Sequence, residues 1–337
     1  MKKRREFIQT MLGLTAGMML PYPSLGNNFS ANDKWGEILP TRKLGTTGEN
    51  VTMLGVGGYH VGWTTERDAQ EVIEAAIEGG VRFFDTAESY AGGESERRYG
   101  KYLVPKYRDD IFLMTKTFTQ DAKTAREHLE GSLRRLNTDH LDLWQIHSLQ
   151  SPEDVDTRIA NGLLDVVREA KESGKARHIG FTGHQNPYAH LRMLEKTGGM
   201  ELFSTSQFPV NLVDFASEHS FVRKVIPKAI DNKLAVLAMK TLADGRFFGK
   251  KVMNGNEVWQ SDDPVVPGRI SMRDALFFSW SMPISVLITG AENVGFIKEK
   301  IALAKAFQEM DETTRKNLAD KVADLAEEGK VEYYKKV

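Results

Sequence analysis

The sequence predicts an α/β protein, a closed (β/α)8 TIM barrel preceded by a short N-terminal β-hairpin. Three observations carry this. Short apolar runs alternate with helical patterns eight times between Val51 and Phe307. The runs are rich in β-branched residues and apolar on both faces, as in a parallel sheet covered by helices. No stretch between them has the composition of an interdomain linker, so residues 32–337 read as one domain. An open doubly wound sheet is the competing arrangement, but eight consecutive units favour closure.

The elements follow in order. Short runs around Gly45 and Gly48 give the hairpin, which leads into a strand from Val51 to Val56. Residues 66–78 place Ala69, Val72, Ile73, Ala76 and Ile77 on one helical face, and Gly79-Gly80 ends that helix. Strands are expected at 81–85, 111–116, 141–147, 177–182, 203–208, 234–239 and 284–288. Helices are expected at 95–103, 122–136, 158–173, 187–196, 221–232, 271–282 and 296–307. The loop from Lys240 to Arg269 carries Phe247, Phe248 and Trp259, which suit a pocket wall or ordinary packing equally. The closing KVEYYKKV reads as a charged tail with two tyrosines.

Composition excludes several chemistries. The chain has 337 residues, a net charge of −1 and no cysteine. Nothing in that balance draws it to nucleic acid, and disulfides, thiolate catalysis and cysteine-bound metals are ruled out. The eight histidines are scattered, without the spacing of a metal-dependent hydrolase. The N-terminus reads differently from the rest. Lys2 to Arg5 are basic, an apolar run covers Thr10–Leu20, and Pro21 and Pro23 follow. That run is far shorter than the ~20 residues of a membrane span. Residues 1–31 read as an export signal, and Arg4-Arg5-Glu6-Phe7-Ile8 carries the twin-arginine pattern of bacteria. The expected location is therefore periplasmic or exported, with the twin-arginine machinery as a partner and no stable membrane insertion.

In a barrel, chemistry gathers where strands end and βα loops begin. Asp85 ends the second strand, Lys116 the third and His147 the fourth, and Tyr90 follows in the loop after the second. Each alone has an ordinary reading: a cap, a snorkelling lysine, a core histidine, a packed tyrosine. Together they suit carbonyl reduction. Tyr90 gives the proton. Lys116 lowers the phenol's pKa. Asp85 holds Lys116 charged, and His147 polarises the carbonyl oxygen. None of the four supplies a hydride, so a cofactor must.

These residues and their order resemble the aldo-keto reductase family over most of the chain, from about Leu39 to Phe307. RKLGTTGENVTMLGVGG resembles the family's opening hairpin and first strand, and FFDTAESYAGGESE its Asp–Tyr motif with the trailing Gly-x-Ser-Glu. The resemblance implies a barrel that binds extended NADP, with NAD as the alternative, and acts on an aldehyde, ketone or sugar. It uses no Rossmann fold. GVGGYH lacks the third glycine of that fingerprint and is not expected to run directly into a helix.

The resemblance also assigns cofactor positions. Gly58 and Tyr59 match the loop after strand one, Thr182 the hydroxyl that binds the nicotinamide amide, and Gln207 the family glutamine. Gly183 stands where the family usually has Asn. Met239 replaces the usual stacking aromatic, and Leu242 and Gly245 fit the loop crossing the pyrophosphate. Gly290 and Glu299 complete the set after the last strand. Gly290 and Phe296 occupy positions where an NADP site has basic side chains. Lys298 and Lys300 lie nearby and read as a solvated helix face, while Glu292 and Asn293 suit ribose hydroxyls. The competing function is a cofactor-binding regulatory or partner subunit with little turnover.

Overall fold

The computed structural model describes residues 31–199, 201–253 and 256–337. All of the expected export signal but Ala31 therefore lies outside the described residues. Among the described residues, no helix is long and apolar enough to cross a membrane.

Eight parallel strands close into a barrel. They are β1 (Leu54–Gly57), β2 (Phe83–Asp85), β3 (Phe112–Thr117), β4 (Leu141–Ile146), β5 (Ala176–Thr182), β6 (Thr205–Pro209), β7 (Ala235–Met239) and β8 (Val286–Thr289). The covering helices are α1 (Glu66–Glu78), α2 (Glu94–Tyr102), α3 (Ala122–Leu136), α4 (Leu163–Glu172), α5 (Pro187–Thr197), α6 (Phe221–Asp231), α7 (Met272–Trp280) and α8 (Val294–Lys305). Most start on a side-chain cap, as where Thr65 accepts from Asp68 N, Asp121 from Thr124 N, and Ser271 shares a capping box with Asp274.

Register explains the site. Side chains alternate faces along a strand, so paired residues on neighbouring strands share a face. Gly55 pairs with Phe83 and Phe83 with Phe112; Met114 pairs with Leu143 and Leu143 with His178. Phe83, Phe112, Met114, Leu143, Leu237, Val286 and Ile288 thus fill the barrel in one buried cluster. Counting by twos toward the strand ends, the inward face next presents Asp85, Lys116, His147, Thr182, Gln207 and Met239. The apolar cluster is the floor, and these residues are the rim.

The hairpin Thr41–Lys43 with Asn50–Thr52 plugs the opposite end, placing Leu44 and Val51 in the interior cluster. Arg42 fixes it by donating to Ile284 O at 3.0 Å and Trp280 O at 2.8 Å. The expected strand from Val51 to Val56 is therefore two: Asn50–Thr52 turns down into the plug and Leu54–Gly57 rises into the barrel.

Three further expectations are corrected. A helix does follow GVGG directly, spanning Gly58–Trp63. The single helix expected over 158–173 is two, Pro152–Ala160 and α4, because Gly162 adopts φ 78° and turns the chain. The loop after β7 is not structureless: it holds an antiparallel pair, Lys250–Met253 with Asn256–Gln260. Phe247 there is fully buried core, and Trp259 donates to Phe248 O at 3.0 Å, so packing accounts for both.

Candidate active site

Asp85, Lys116, Tyr90 and His147 converge on one rim. Lys116 Nζ lies 2.5 Å from Asp85 Oδ1, with the two side chains 1% and 4% exposed. It donates to Thr86 O at 2.7 Å and to the Tyr90 hydroxyl at 3.2 Å, and sits 4.7 Å from the centre of the Tyr90 ring. The rings of Tyr90 and His147 are 5.8 Å apart, and His147 Nδ1 is buried without a partner.

The local sequence explains how Tyr90 arrives there. After Tyr90, three consecutive left-handed residues, Ala91, Gly92 and Gly93 with φ 51°, 62° and 85°, reverse the chain into α2. Two glycines make that turn inexpensive. The trailing Gly-x-Ser-Glu then anchors α2. Ser95 Oγ donates to Gly58 O at 2.7 Å, and buried Glu96 accepts from Thr115 Oγ1 and Arg135 Nε, each at 2.6 Å. Ser95 and Glu96 are thus structural supports of the tyrosine turn.

His147 has a support the sequence reading missed. Arg158 in the helix Pro152–Ala160 is buried, pairs with Asp154 at 3.0 Å, and donates to the carbonyls of His147 and Ser148 at 3.0 and 3.3 Å. Residues 154 and 158 are one helical turn apart, which is the only sequence signal.

The electrostatics invert one expectation. Lys116 does pull the Tyr90 phenol toward ionisation, but burial dominates and pushes it up to about 12. Burial also opposes the charge on Lys116, yet Asp85, with Tyr90, more than compensates and the ammonium holds its proton above its ordinary value. Burial raises the Asp85 carboxyl against the pull of Lys116. Burial, then Lys116 and His184, hold His147 well below its ordinary value, so the imidazole is neutral. The site at neutral pH is a phenol, an ammonium and a neutral imidazole around one opening.

The assigned cofactor positions spread around the same rim. Thr182 and Gln207 are buried side by side in register, and the Gln207 carbonyl oxygen is without a partner. Gln207 Nε2 lies 3.7 Å from the Met239 sulfur. Gly183 is explained by space: a Cβ there would stand 2.7 Å from Leu149 O and 2.9 Å from His190 Nε2, so the family's usual Asn does not fit. Tyr59 is half-buried with its ring 5.5 Å from that of Tyr90, and Gly58 is buried beneath it. Leu242 and Gly245 flank a left-handed turn at Ala243 and Asp244. A Cβ on Gly290 would meet His60 Nδ1 at 2.0 Å, and Glu299 is exposed on α8. Lys298 is exposed as expected, but Lys300 is not on a solvated face. It is 7% exposed, and its ammonium donates to Gly290 O at 2.5 Å. Among the described residues, no cluster of three or more potential ligands suits a metal ion.

The aldo/keto reductase family model matches residues 53–327. The chain belongs to the aldo/keto reductase family. Aldo-keto reductase YhdN of Bacillus subtilis is 30% identical over 237 residues, covering 65% of this chain and 66% of that protein. Methylglyoxal reductase YeaE of Escherichia coli is 30% identical over 194 residues, covering 56% and 64%. The chain thus spans about two thirds of the length of these relatives. Among solved structures, the holo form of aldo-keto reductase AKR11C1 from Bacillus halodurans superposes with a TM-score of 0.70 at 21% identity, covering 84% of this chain and 96% of that one. That likeness shows the shared barrel. Family membership makes the chain one of the oxidoreductases.

Proposed function

We propose that this aldo-keto reductase reduces a small aldehyde, ketone or sugar carbonyl, or runs the reverse, with Tyr90 as general acid or base and NADP as cofactor. The observation that carries the reading is Lys116 bridging Asp85 at 2.5 Å and Tyr90 at 3.2 Å beside a neutral His147. Tyr90 Oη hands its proton to the carbonyl oxygen. The Lys116 ammonium stabilises the phenolate left behind, and Asp85 keeps that ammonium charged and aimed. His147, as a neutral donor, steadies the oxygen as it gains charge. A regulatory subunit would have no use for this complete set.

The unpartnered Gln207 oxygen, the neighbouring Thr182 hydroxyl and the Met239 thioether suit a ring that carries an amide. Bound there, a reduced nicotinamide supplies the hydride that none of these side chains can. Buried Lys300 supports the phosphate-bearing form, because loops after the last two barrel strands commonly hold phosphate. Glu292 favours the second reading, NAD. Its carboxylate is 58% exposed beside His60 at 3.7 Å and would repel an added phosphate. The test is oxidation of each reduced dinucleotide in the presence of a carbonyl panel. Carbonyl-dependent oxidation supports the reading; binding without turnover supports the subunit alternative.

The twin-arginine pattern at Arg4-Arg5 supports a further proposal, export of the folded protein. Fractionation of the native cell tests it, and protein confined to the cytoplasm contradicts it.

A further inference from the structure

We propose that Tyr333, in the C-terminal tail, is a positioning residue that latches the loop after β7 across the barrel mouth, so that the tail governs dinucleotide entry and release. The second half of this rests on the functional reading above; the latch itself does not.

The loop needs a latch. Lys240, Ala243 and Asp244 have φ of 52°, 48° and 59°, and Gly245 follows at 84°. Three non-glycine residues in the left-handed region within five positions are strained, and such backbone persists only where its surroundings over-determine it. The over-determination centres on Asp244. Lys251 Nζ lies 2.9 Å from Oδ2, Lys240 Nζ lies 3.7 Å from Oδ1, and the Tyr333 hydroxyl donates to Oδ2 at 2.5 Å. Beside it, the Arg246 guanidinium lies 3.8 Å from the centre of the Tyr333 ring and donates to Lys330 O at 2.9 Å.

The tail is itself fastened elsewhere. Lys335 pairs with buried Asp214 and with Glu332, each at 2.6 Å. Asn211 donates to Glu332 at 2.9 Å, and Lys336 N donates to Gln185 O at 2.9 Å. Tyr334 sits 5.7 Å from the His184 ring, with Lys240 Nζ 4.9 Å from the centre of its own ring. The tail therefore ties the loops after β5, β6 and β7 together over the mouth.

The chemistry suits a gate for an anionic ligand. Two ammoniums against one carboxylate leave the loop with net positive charge. An arriving pyrophosphate draws on Lys240 and Lys251 and so weakens their hold on Asp244. The Tyr333 phenol is neutral and does not compete for phosphate. It keeps Asp244 fixed while the lysines turn.

The test uses the full chain with Tyr333→Phe and Tyr333→Ala. Hydrogen exchange is followed in the ligand-free protein, and NADPH release by stopped flow. Loss of one hydrogen bond to a carboxylate predicts about tenfold faster exchange at amides 240–251 in Tyr333→Phe, with the barrel strands unchanged. It also predicts about tenfold faster NADPH release and a raised KM for NADPH, with the single-turnover rate retained. Loop exchange unchanged in both variants overturns the latch, as does acceleration spread evenly over the whole barrel. If the wild type binds no dinucleotide, the functional proposal fails, and loop exchange still decides the latch.

Discussion

Lys116 stands 3.2 Å from the Tyr90 hydroxyl, yet the phenol's proton is bound more tightly than in water because burial outweighs the ammonium. The phenol is therefore protonated throughout neutral pH, and the phenolate that the oxidative direction requires is scarce.

That asymmetry predicts a pH signature. With the phenol pushed up to about 12, reduction keeps its acid through neutral and alkaline pH, so its rate should be flat there. Oxidation needs the phenolate, whose population rises about tenfold per pH unit below the pKa. Rate profiles in both directions check this, and parallel profiles would contradict it.

Removing Lys116 should cost stability as well as rate. Lys116→Met leaves Asp85 buried without its counter-charge, a loss of about 3–5 kcal/mol. Denaturant unfolding measures it. Adding Asp85→Asn should recover part of that loss, because the orphaned charge disappears.

Lys300 should matter to the cofactor as well as to the fold. Lys300→Met removes a buried ammonium together with its hydrogen bond to Gly290 O, a loss of about 1–3 kcal/mol. Binding of NADPH should weaken by about tenfold or more, as for a lost hydrogen bond to a charged group, and NADH much less. Titration of both ligands checks this; equal weakening would place the lysine away from the distinguishing phosphate.

Acid should loosen the loop after β7 and the N-terminal turn. Burial raises Asp244, but Lys240 and Lys251 overcome it and hold the carboxyl far below its ordinary value. A hydrogen bond from Arg82 holds Asp33 low as well. Both folded values lie below the unfolded one, so this stability is complete above about pH 4 and drains as pH falls further. Thermal midpoints measured from pH 5 downward should fall less steeply in Asp244→Asn than in the wild type.

The barrel and its strand-end residues Asp85, Lys116 and His147 are legible because strands advertise themselves by composition, and a period of two carries an inward residue from floor to rim. Asp85 two positions beyond Phe83, and Lys116 two beyond Met114, need only that rule. What stayed hidden depends on contacts distant in sequence. Lys300 looked solvated because its helix pattern does not show that Gly290 lies beneath it. The bend at Gly162 looked like a helix interior because the apolar spacing continues across it. The direction of the Tyr90 shift is not legible in the sequence, because a lysine can be counted there and burial cannot. The tail gave no periodic signal at all, since each of its residues is held by a different loop.

The central claim is that Tyr90 delivers the proton. The direct measurement is the single-turnover rate of carbonyl reduction by wild type and Tyr90→Phe, both saturated with reduced dinucleotide of measured affinity. The account predicts a loss of about 10²–10⁴-fold in rate with dinucleotide affinity retained. Equal rates in the two proteins would contradict it.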